Sequence, residues 1–272
     1  IIVIILSRLL SYMGLFEHSI LNRKETYLPF FTLITVALLG AIDDIFNIRG
    51  LGKSKGINIK PKFFWLTLFA LLGGIWFYLK LGFNEIHVPG VGDFFIGAWY
   101  IPLFIFIILA TSNAVNITDG LDGLSGGLSI IAFGAFGALA YAHGMLILAA
   151  FCALIAGATL AFLWFNIPPA RFYMGDTGSL ALGATLGVIA MLTDTVLILP
   201  FIGAIFVIET LSVILQIASK KLRGKKLFHI APLHHHFEHL GWPESQIVMR
   251  FWIVGALFAA FGLVLGLVGM GI

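Results

Sequence analysis

The sequence predicts an all-α polytopic membrane protein with about nine transmembrane helices and a small surface hairpin. Hydrophobic residues make up 60% of the 272 residues and charged residues only 11%, and the mean hydropathy is +1.05. Soluble globular chains are about half apolar and about a quarter charged. The net charge of +3, without a basic stripe interleaved with aromatic residues, argues against a nucleic-acid partner.

Nine apolar segments are each predicted to form one helical span, since a helix needs roughly 20 residues to cross a bilayer. They cover residues 1–16, 27–42, 63–81, 98–115, 124–143, 145–165, 178–192, 195–218 and 247–269. The second span is predicted to end at the acid pair Asp43-Asp44, and the sixth at Asn166, just before two prolines. Glycine, proline and alternating apolar residues in 82–97 predict the hairpin. Because the chain begins at Ile1 and is apolar from the start, we expect it to be truncated or to start inside a longer protein.

The basic residues predict how the spans are oriented. If the nine spans alternate, residues 43–62, 111–123, 166–177 and 219–250 lie on one side of the membrane. These four loops hold 12 of the 16 Lys and Arg residues. The positive-inside rule makes this side cytoplasmic, and the polar residues discussed next all fall on it.

A polar stretch from Asn113 to Gly123 separates two apolar spans. Polar groups at the edge of the hydrocarbon are costly and usually line a pathway or a site. Asp119 and Asp122 are three residues apart, so they share a face if the next helix has begun. Together with Asn113 and Asn116, they predict the polar floor of an active site at the membrane surface.

The remaining carboxylates and lysines each have two interpretations. Asp43 and Asp44 either face water or handle a divalent metal or a phosphate, since Mg²⁺ prefers oxygen ligands. Asp176 precedes an apolar segment and either caps that helix or joins the site. The lysines of the loop after the acid pair, including Lys55 and Lys62, either serve only the orientation signal or contact phosphate.

Three consecutive histidines, His234 to His236, lie in the last cytoplasmic loop. Consecutive side chains on a helix diverge by about 100°, so a three-histidine metal site is not expected. One or two of these histidines are predicted to bind phosphate or handle protons. Glu209 and Gln216, inside the eighth span, are predicted to be structural and hydrogen-bonded within the bundle.

These residues together predict metal-assisted phosphoryl transfer, which needs acids to hold Mg²⁺ and cations to neutralise phosphate oxygens. The membrane location indicates a lipid substrate and a soluble, phosphate-bearing donor. A transporter is the alternative class, but transporters keep their charges near the midplane and often show inverted repeats. Here the charges lie at helix ends on one side, and no repeat is evident.

Four motifs together resemble the polyprenyl-phosphate N-acetylhexosamine-1-phosphate transferase superfamily. They are Asp43-Asp44, Asn113-Ala-Val-Asn-Ile-Thr-Asp-Gly-Leu-Asp-Gly123, Phe165-Asn166 with Tyr173-Met-Gly-Asp-Thr-Gly-Ser179, and the histidine loop. Within that superfamily, Ala231-Pro-Leu-His-His-His-Phe-Glu238 is similar to the bacterial phospho-MurNAc-pentapeptide transferase family. Relatives that use UDP-GlcNAc carry a differently spaced histidine motif, and a GlcNAc-1-phosphate transferase is the alternative within the superfamily.

The resemblance implies transfer of phospho-MurNAc-pentapeptide from its UDP carrier to undecaprenyl phosphate, which yields lipid I and UMP and requires Mg²⁺. It places the protein in the bacterial inner membrane, with the active site facing the cytoplasm and the hairpin in the periplasm. A homodimer is left open. Residues 1–272 are expected to form one transferase domain that lacks the family's first helix.

Carried over position by position, the resemblance implies three sets of site residues. The catalytic residues are Asp43, Asp44, Asp176 and His234, and the Mg²⁺ ligands are Asp176 and Asp44. The substrate-binding residues are Lys55, Lys62, Asn113, Asn116, Asp119, Asp122, Asn166, Tyr173, His235 and His236. Tyr173 matches an aromatic residue that stacks on uracil. One departure is Asn47, which stands where the family usually has Lys.

Overall fold

The structure, a computed structural model, describes residues 9, 12–13, 24–50 and 59–269 as a helical bundle with one hairpin. The helices are α1 (Lys24–Ile48), α2 (Ile59–Trp76), α3 (Tyr100–Thr118), α4 (Leu124–Ala142), α5 (Leu146–Asn166), α6 (Gly175–Leu192), α7 (Leu199–Ile202), α8 (Ala204–Arg223), α9 (Leu233–His239) and α10 (Glu244–Gly269). The strands are β1 (Glu85–Val88) and β2 (Gly92–Phe95). A π-helical turn at Phe77–Leu81 and a 3₁₀ turn at Gly97–Trp99 flank the hairpin.

The predicted all-α membrane architecture is confirmed, although the count of nine spans is not. Seven helical segments in the described part of the chain are long and apolar enough to cross a membrane. They are Tyr27–Ile48, Lys60–Leu81, Gly97–Thr118, Leu124–Ala142, Leu146–Asn166, Gly175–Leu192 and Glu244–Gly269. The predicted span 1–16 lies almost entirely outside the described residues. The predicted span 195–218 is broken at Gly203 between α7 and α8, and α8 carries Glu209 and a basic last turn.

Helix α6 is the centre of the bundle, and every residue from Ser179 to Leu192 is buried. It packs against α1 and α3, and small residues allow the close approach. A Cβ atom added at Gly183 would collide with the backbone of Thr111 in α3, and one at Gly40 in α1 would collide with the backbone of Asp176. These contacts bring the polar ends of α1 and α3 to the N-terminus of α6.

Several helices extend further into polar sequence than predicted, among them α1 and α3. Helix α1 continues past Asp43-Asp44 to Ile48, so the acid pair lies within the helix rather than after it. Helix α3 continues to Thr118, so Asn113 and Asn116 are helical and only 119–123 forms a loop. The Nδ2 of Asn113 donates to the Leu109 carbonyl of its own helix, whereas the Nδ2 of Asn116 donates to Oδ1 of Asp176 in α6. For Asn116, a tertiary contact therefore overrides the weak helix preference of asparagine.

The predicted hairpin is confirmed. Strands β1 and β2 are antiparallel, with Glu85 opposite Phe95 and Val88 opposite Gly92. The turn uses Gly90 at φ +75°, a conformation that glycine adopts without steric cost.

Candidate active site

Asp44 holds the N-terminus of α6. Its Oδ1 accepts the backbone N–H of Asp176 at 3.1 Å, and its Oδ2 accepts the N–H and the hydroxyl of Thr177 at 2.9 and 2.6 Å. A carboxylate is favoured there because the first N–H groups of a helix are unpaired and carry partial positive charge. The cap of α6 therefore comes from α1, and the side chain of Asp176 is left for other contacts.

Asp43 and Asp176 share one cation, the ammonium group of Lys62. The Nζ of Lys62 donates to Oδ2 of Asp176 and lies 3.3 Å from Oδ2 of Asp43. The three side chains are 13–22% exposed, so water reaches them only partly. Helices α1, α2 and α6 each contribute one member, which makes this cluster the meeting point of three elements.

Asn116 of α3 completes the surroundings of Asp176. Its Nδ2 donates to Oδ1 of Asp176 at 2.6 Å and lies 2.8 Å from the hydroxyl oxygen of Ser179. That hydroxyl donates in turn to the Gly175 carbonyl. The orientation of the Asp176 carboxylate is thus fixed from both sides.

The donor set of this cluster fits Mg²⁺. Mg²⁺ is usually bound by one or two carboxylates together with water and substrate phosphates, and Asp43 and Asp176 already converge on a positive charge. Among the described residues no group of three or more His, Cys, Asp or Glu side chains could hold a metal by itself. Both oxygens of Asp44 accept hydrogen bonds from α6, so Asp43 is better placed than Asp44 to join Asp176.

Asp119 follows the last residue of α3 and interacts electrostatically with the other acids. Burial, followed by the charges of Asp176, Asp44 and Asp122, raises the pKa of Asp119 to about 7. Near neutral pH this carboxyl group is therefore divided between its protonated and ionised forms. A cation bound in the cluster would favour the ionised form.

Asp122 and Asn166 connect the loop 119–123 to the loop 167–174 by hydrogen bonds. Oδ2 of Asp122 accepts the N–H of Ala170 at 2.8 Å. The side chain of Asn166 is buried, accepts the N–H of Gly123 at 3.1 Å and donates to the carbonyl of Phe172 at 2.8 Å. These bonds fix the loop 167–174, which leads into α6.

His234 lies under the loop 119–123. Its side chain is fully buried, and its Nδ1 is 3.0 Å from Oε2 of Glu209 in α8. Its Nε2 faces Gly120, where an added Cβ atom would collide with the ring. His235 pairs instead with Glu238, and Nδ1 of His236 accepts the N–H of His229. The predicted divergence of the three histidines is confirmed.

Comparison with known proteins agrees with this geometry. Residues 27–194 match the family described as glycosyl transferase family 4. The chain is 45% identical over 240 residues to a phospho-N-acetylmuramoyl-pentapeptide-transferase of Geobacillus thermodenitrificans, covering 88% of this chain and 74% of the relative. It is 41% identical over 264 residues to the enzyme of that name from Chloroflexus aurantiacus, covering 92% and 72%. This chain belongs to the phospho-N-acetylmuramoyl-pentapeptide-transferase family.

Three further residues that were predicted from the family are Asn113, Tyr173 and Lys55. Nδ2 of Asn113 donates to the Leu109 carbonyl of its own helix. Tyr173 is 78% exposed, on the loop before α6. Lys55, a predicted substrate-binding residue of this transferase family, lies outside the described residues.

Three residues around the site were not predicted from the sequence. They are Thr177, Ser179 and Glu244, whose Oε1 accepts the N–H of Asp122 at 2.7 Å. Their roles depend on contacts between distant parts of the chain, for which this sequence holds no local signal. Glu209 and Gln216 were predicted to be hydrogen-bonded inside the bundle, and this is confirmed.

Proposed function

We propose that this protein transfers phospho-MurNAc-pentapeptide from UDP-MurNAc-pentapeptide to undecaprenyl phosphate, giving lipid I and UMP for peptidoglycan synthesis. Membership of the transferase family supports this reaction. The observation that carries it is the cluster of Asp43, Lys62 and Asp176, in which two carboxylates converge on one cation. The reaction joins two phosphate-bearing substrates, and such a cluster suits their handling.

In the reaction, an oxygen of undecaprenyl phosphate attacks the β-phosphorus of the UDP-sugar. The bond from that phosphorus to the bridging oxygen breaks, and UMP leaves with the electron pair. Asp43 keeps the attacking phosphate ionised, and Lys62 neutralises phosphate oxygens as charge shifts between them. A route through a covalent aspartyl intermediate is the alternative, and the same residues would serve it.

Magnesium is part of this proposal. Asp176 and Asp43 would hold the ion, and Asn116 would keep the Asp176 carboxylate turned toward it. When bound, Mg²⁺ supplies positive charge that offsets the diphosphate. Asp44 contributes indirectly, because it anchors the helix turn that carries Asp176.

The lipid substrate has a suitable neighbouring surface. An apolar groove of about 1070 Å³ runs between α1 and α2 and is lined by residues that include Ile42, Phe46, Pro61 and Trp65. Its lining residues Ile42 and Pro61 are adjacent in sequence to Asp43 and Lys62. A polyprenyl chain lying there would present its phosphate to the acid cluster. With the cluster at the basic side of the bundle, we place the site at the cytoplasmic face of the inner membrane.

The test is UMP release by the purified full-length protein with Mg²⁺ and undecaprenyl phosphate, offered either UDP-MurNAc-pentapeptide or UDP-GlcNAc. We expect release only with the first donor, and only while Mg²⁺ is present. Substitution Asp176→Asn should lower the rate by at least about a hundredfold, as loss of a charge-stabilising group does. Glu85→Gln, an isosteric change on the exposed hairpin strand, should leave the rate unchanged. Release with UDP-GlcNAc alone, or full activity in EDTA, would refute the proposal.

A further inference from the structure

Glu209 is a fully buried carboxylate that accepts hydrogen bonds from the start of helix α9. Its Oε2 accepts the N–H of Leu233 at 2.8 Å, its Oε1 accepts the N–H of His234 at 3.1 Å, and Oε2 lies 3.0 Å from Nδ1 of His234. Its relative exposure is 0%. An ionised carboxylate can only accept hydrogen bonds, so Nδ1 of His234 carries the hydrogen in this contact.

The other ring nitrogen of His234 faces Gly120 in the loop 119–123, which also carries the predicted site residues Asp119 and Asp122. Nε2 is buried and has no hydrogen-bond partner in the described part of the chain. Gly120 is next to Asp119 in the sequence. The carboxyl group of Asp119 interacts electrostatically with Asp176. Buried polar atoms in proteins are nearly always paired, so an unpaired buried nitrogen beside this loop indicates a partner that arrives with the substrate.

We propose that Glu209 is a positioning residue for His234: it holds Nδ1 so that Nε2 is presented to a phosphate oxygen of the substrate. This inference rests on the proposed function. The ring can take up a second proton at Nε2 because Glu209 balances the charge. The protonated Nε2 then donates a hydrogen bond to a phosphate oxygen, which only accepts. Glu209 does not touch the substrate and acts through the imidazole.

In the described part of the chain, titratable groups approach this imidazole from three elements. His235 lies beside it on α9, with the ring centroids 4.2 Å apart. Glu209 approaches from α8, and Asp119 and Asp122 flank Gly120 in the loop 119–123. Of these groups, Glu209 is the carboxylate in contact with the ring, so its substitution by glutamine removes the negative charge that lies against Nδ1.

The test compares Glu209→Gln, His234→Gln and the double variant by UMP release across a pH series. We expect Glu209→Gln to lower kcat about tenfold to a hundredfold, as loss of a partner of a functional histidine does. On the alkaline side of the pH–activity profile, the activity of Glu209→Gln should begin to fall at a lower pH than that of the wild type. The double variant should be no slower than His234→Gln alone, because a residue that acts through the ring adds nothing once the ring is gone.

Gln216→Ala is the matched control on the same helix. The Oε1 of Gln216 accepts the N–H groups of Leu227 and Phe228 in the loop between α8 and α9. Among the described residues it has no hydrogen bond to His234. Its substitution should lower the thermal midpoint in detergent while leaving kcat and the pH profile of the folded protein unchanged. If Glu209→Gln behaves like Gln216→Ala, or if the losses in the double variant add, Glu209 is only structural.

A second readout does not require turnover. In protein labelled with ¹⁵N-histidine, the signals of His234 are identified by their loss in His234→Gln. We expect a protonated Nδ1 in the wild type and a mixture of ring tautomers in Glu209→Gln. An inactive wild type with a protonated Nδ1 would overturn the proposed function alone. A wild type with hydrogen only on Nε2 would overturn the role of Glu209.

Discussion

Asp43 and Asp44 are adjacent in the sequence, yet their side chains do different things. Successive residues on α1 point about 100° apart, so Asp44 meets the first turn of α6 while Asp43 lies beside Lys62. The sequence shows two acids in one place and cannot assign these separate partners. That assignment depends on how α1 packs on α6, where Gly40 lets the backbones approach.

Substitution Asp44→Ala should destabilise the protein and slow the reaction. It removes the acceptor of three hydrogen bonds at the start of α6, and loss of an N-terminal cap costs about 1–2 kcal/mol. The freed helix turn also carries Asp176, so its carboxylate should lose its fixed position. The measurements are the thermal midpoint in detergent and the rate of UMP release. Asp44→Asn, which keeps one acceptor oxygen, should show a smaller loss of stability, and an unchanged midpoint for Asp44→Ala would contradict the capping role.

Substitution Gly120→Ala should reduce UMP release by about tenfold or more, since a small displacement of a functional group can be that costly. The added methyl group would collide with the ring of His234 and move its Nε2. Gly134→Ala in α4 is the control, because nothing lies within 4 Å of a Cβ atom at that position. Equal activity of the two variants would show that the ring need not stay where it is.

At the scale of elements, apolar length alone predicts some helices well. Helices α4 and α5 differ from the predicted spans by at most one residue at each end, because both segments are apolar along their whole length. The prediction fails where polar side chains find distant partners. Asn116 would end an isolated apolar helix, but in the bundle it bonds to Asp176 and stays helical. The break at Gly203 was also missed, because the sequence is continuously apolar on both sides of this residue.

The hairpin is fastened to the end of α10 by His87. Its Nδ1 lies 2.6 Å from Oδ1 of Asp93 and its Nε2 lies 3.1 Å from the Gly269 carbonyl oxygen. Both partners are acceptors, so only the protonated ring can donate to both. The hydrogen bond to Asp93, opposed by partial burial and aided by the Gly269 carbonyl, raises the pKa of His87.

This contact predicts a pH-dependent stability. Because the pKa of His87 is raised on folding, its contribution is fully present below the unfolded value of about 6.5 and is lost as the pH rises through the folded value. The thermal midpoint of the wild type should therefore fall as the pH rises above about 6.5, and His87→Gln should remove part of that fall. His143 lines a cavity together with His87 and Asp93, and burial, followed by the charge of His87, lowers its pKa. Its shift has the opposite sign, so His143→Gln should not reduce the fall. A steeper fall in His87→Gln would refute the assignment.

At the scale of the whole molecule, the two ends of the bundle have different chemistry. Helix α6 begins at the acid cluster and ends just before Asp194, on the side of the hairpin. Its 18 residues span about 27 Å, close to the thickness of the hydrocarbon core. The charge pattern in the sequence predicts that the acids share one side, although the contacts among them depend on packing. The excess of Lys and Arg on the side of the acid cluster supports the proposal that this side faces the cytoplasm.

This orientation can be tested with single cysteines, because Cys152 is the one cysteine in the chain and is buried. In a Cys152→Ala background, Val91→Cys places a thiol at the exposed tip of the hairpin, and Lys225→Cys places one on the exposed loop after α8. In intact cells whose outer membrane is permeable, an impermeant maleimide should label position 91 but not position 225. Disruption of the inner membrane should expose position 225, which controls for the reactivity of that thiol. Labelling of position 225 in intact cells would reverse the orientation and place the acid cluster away from a cytoplasmic nucleotide donor.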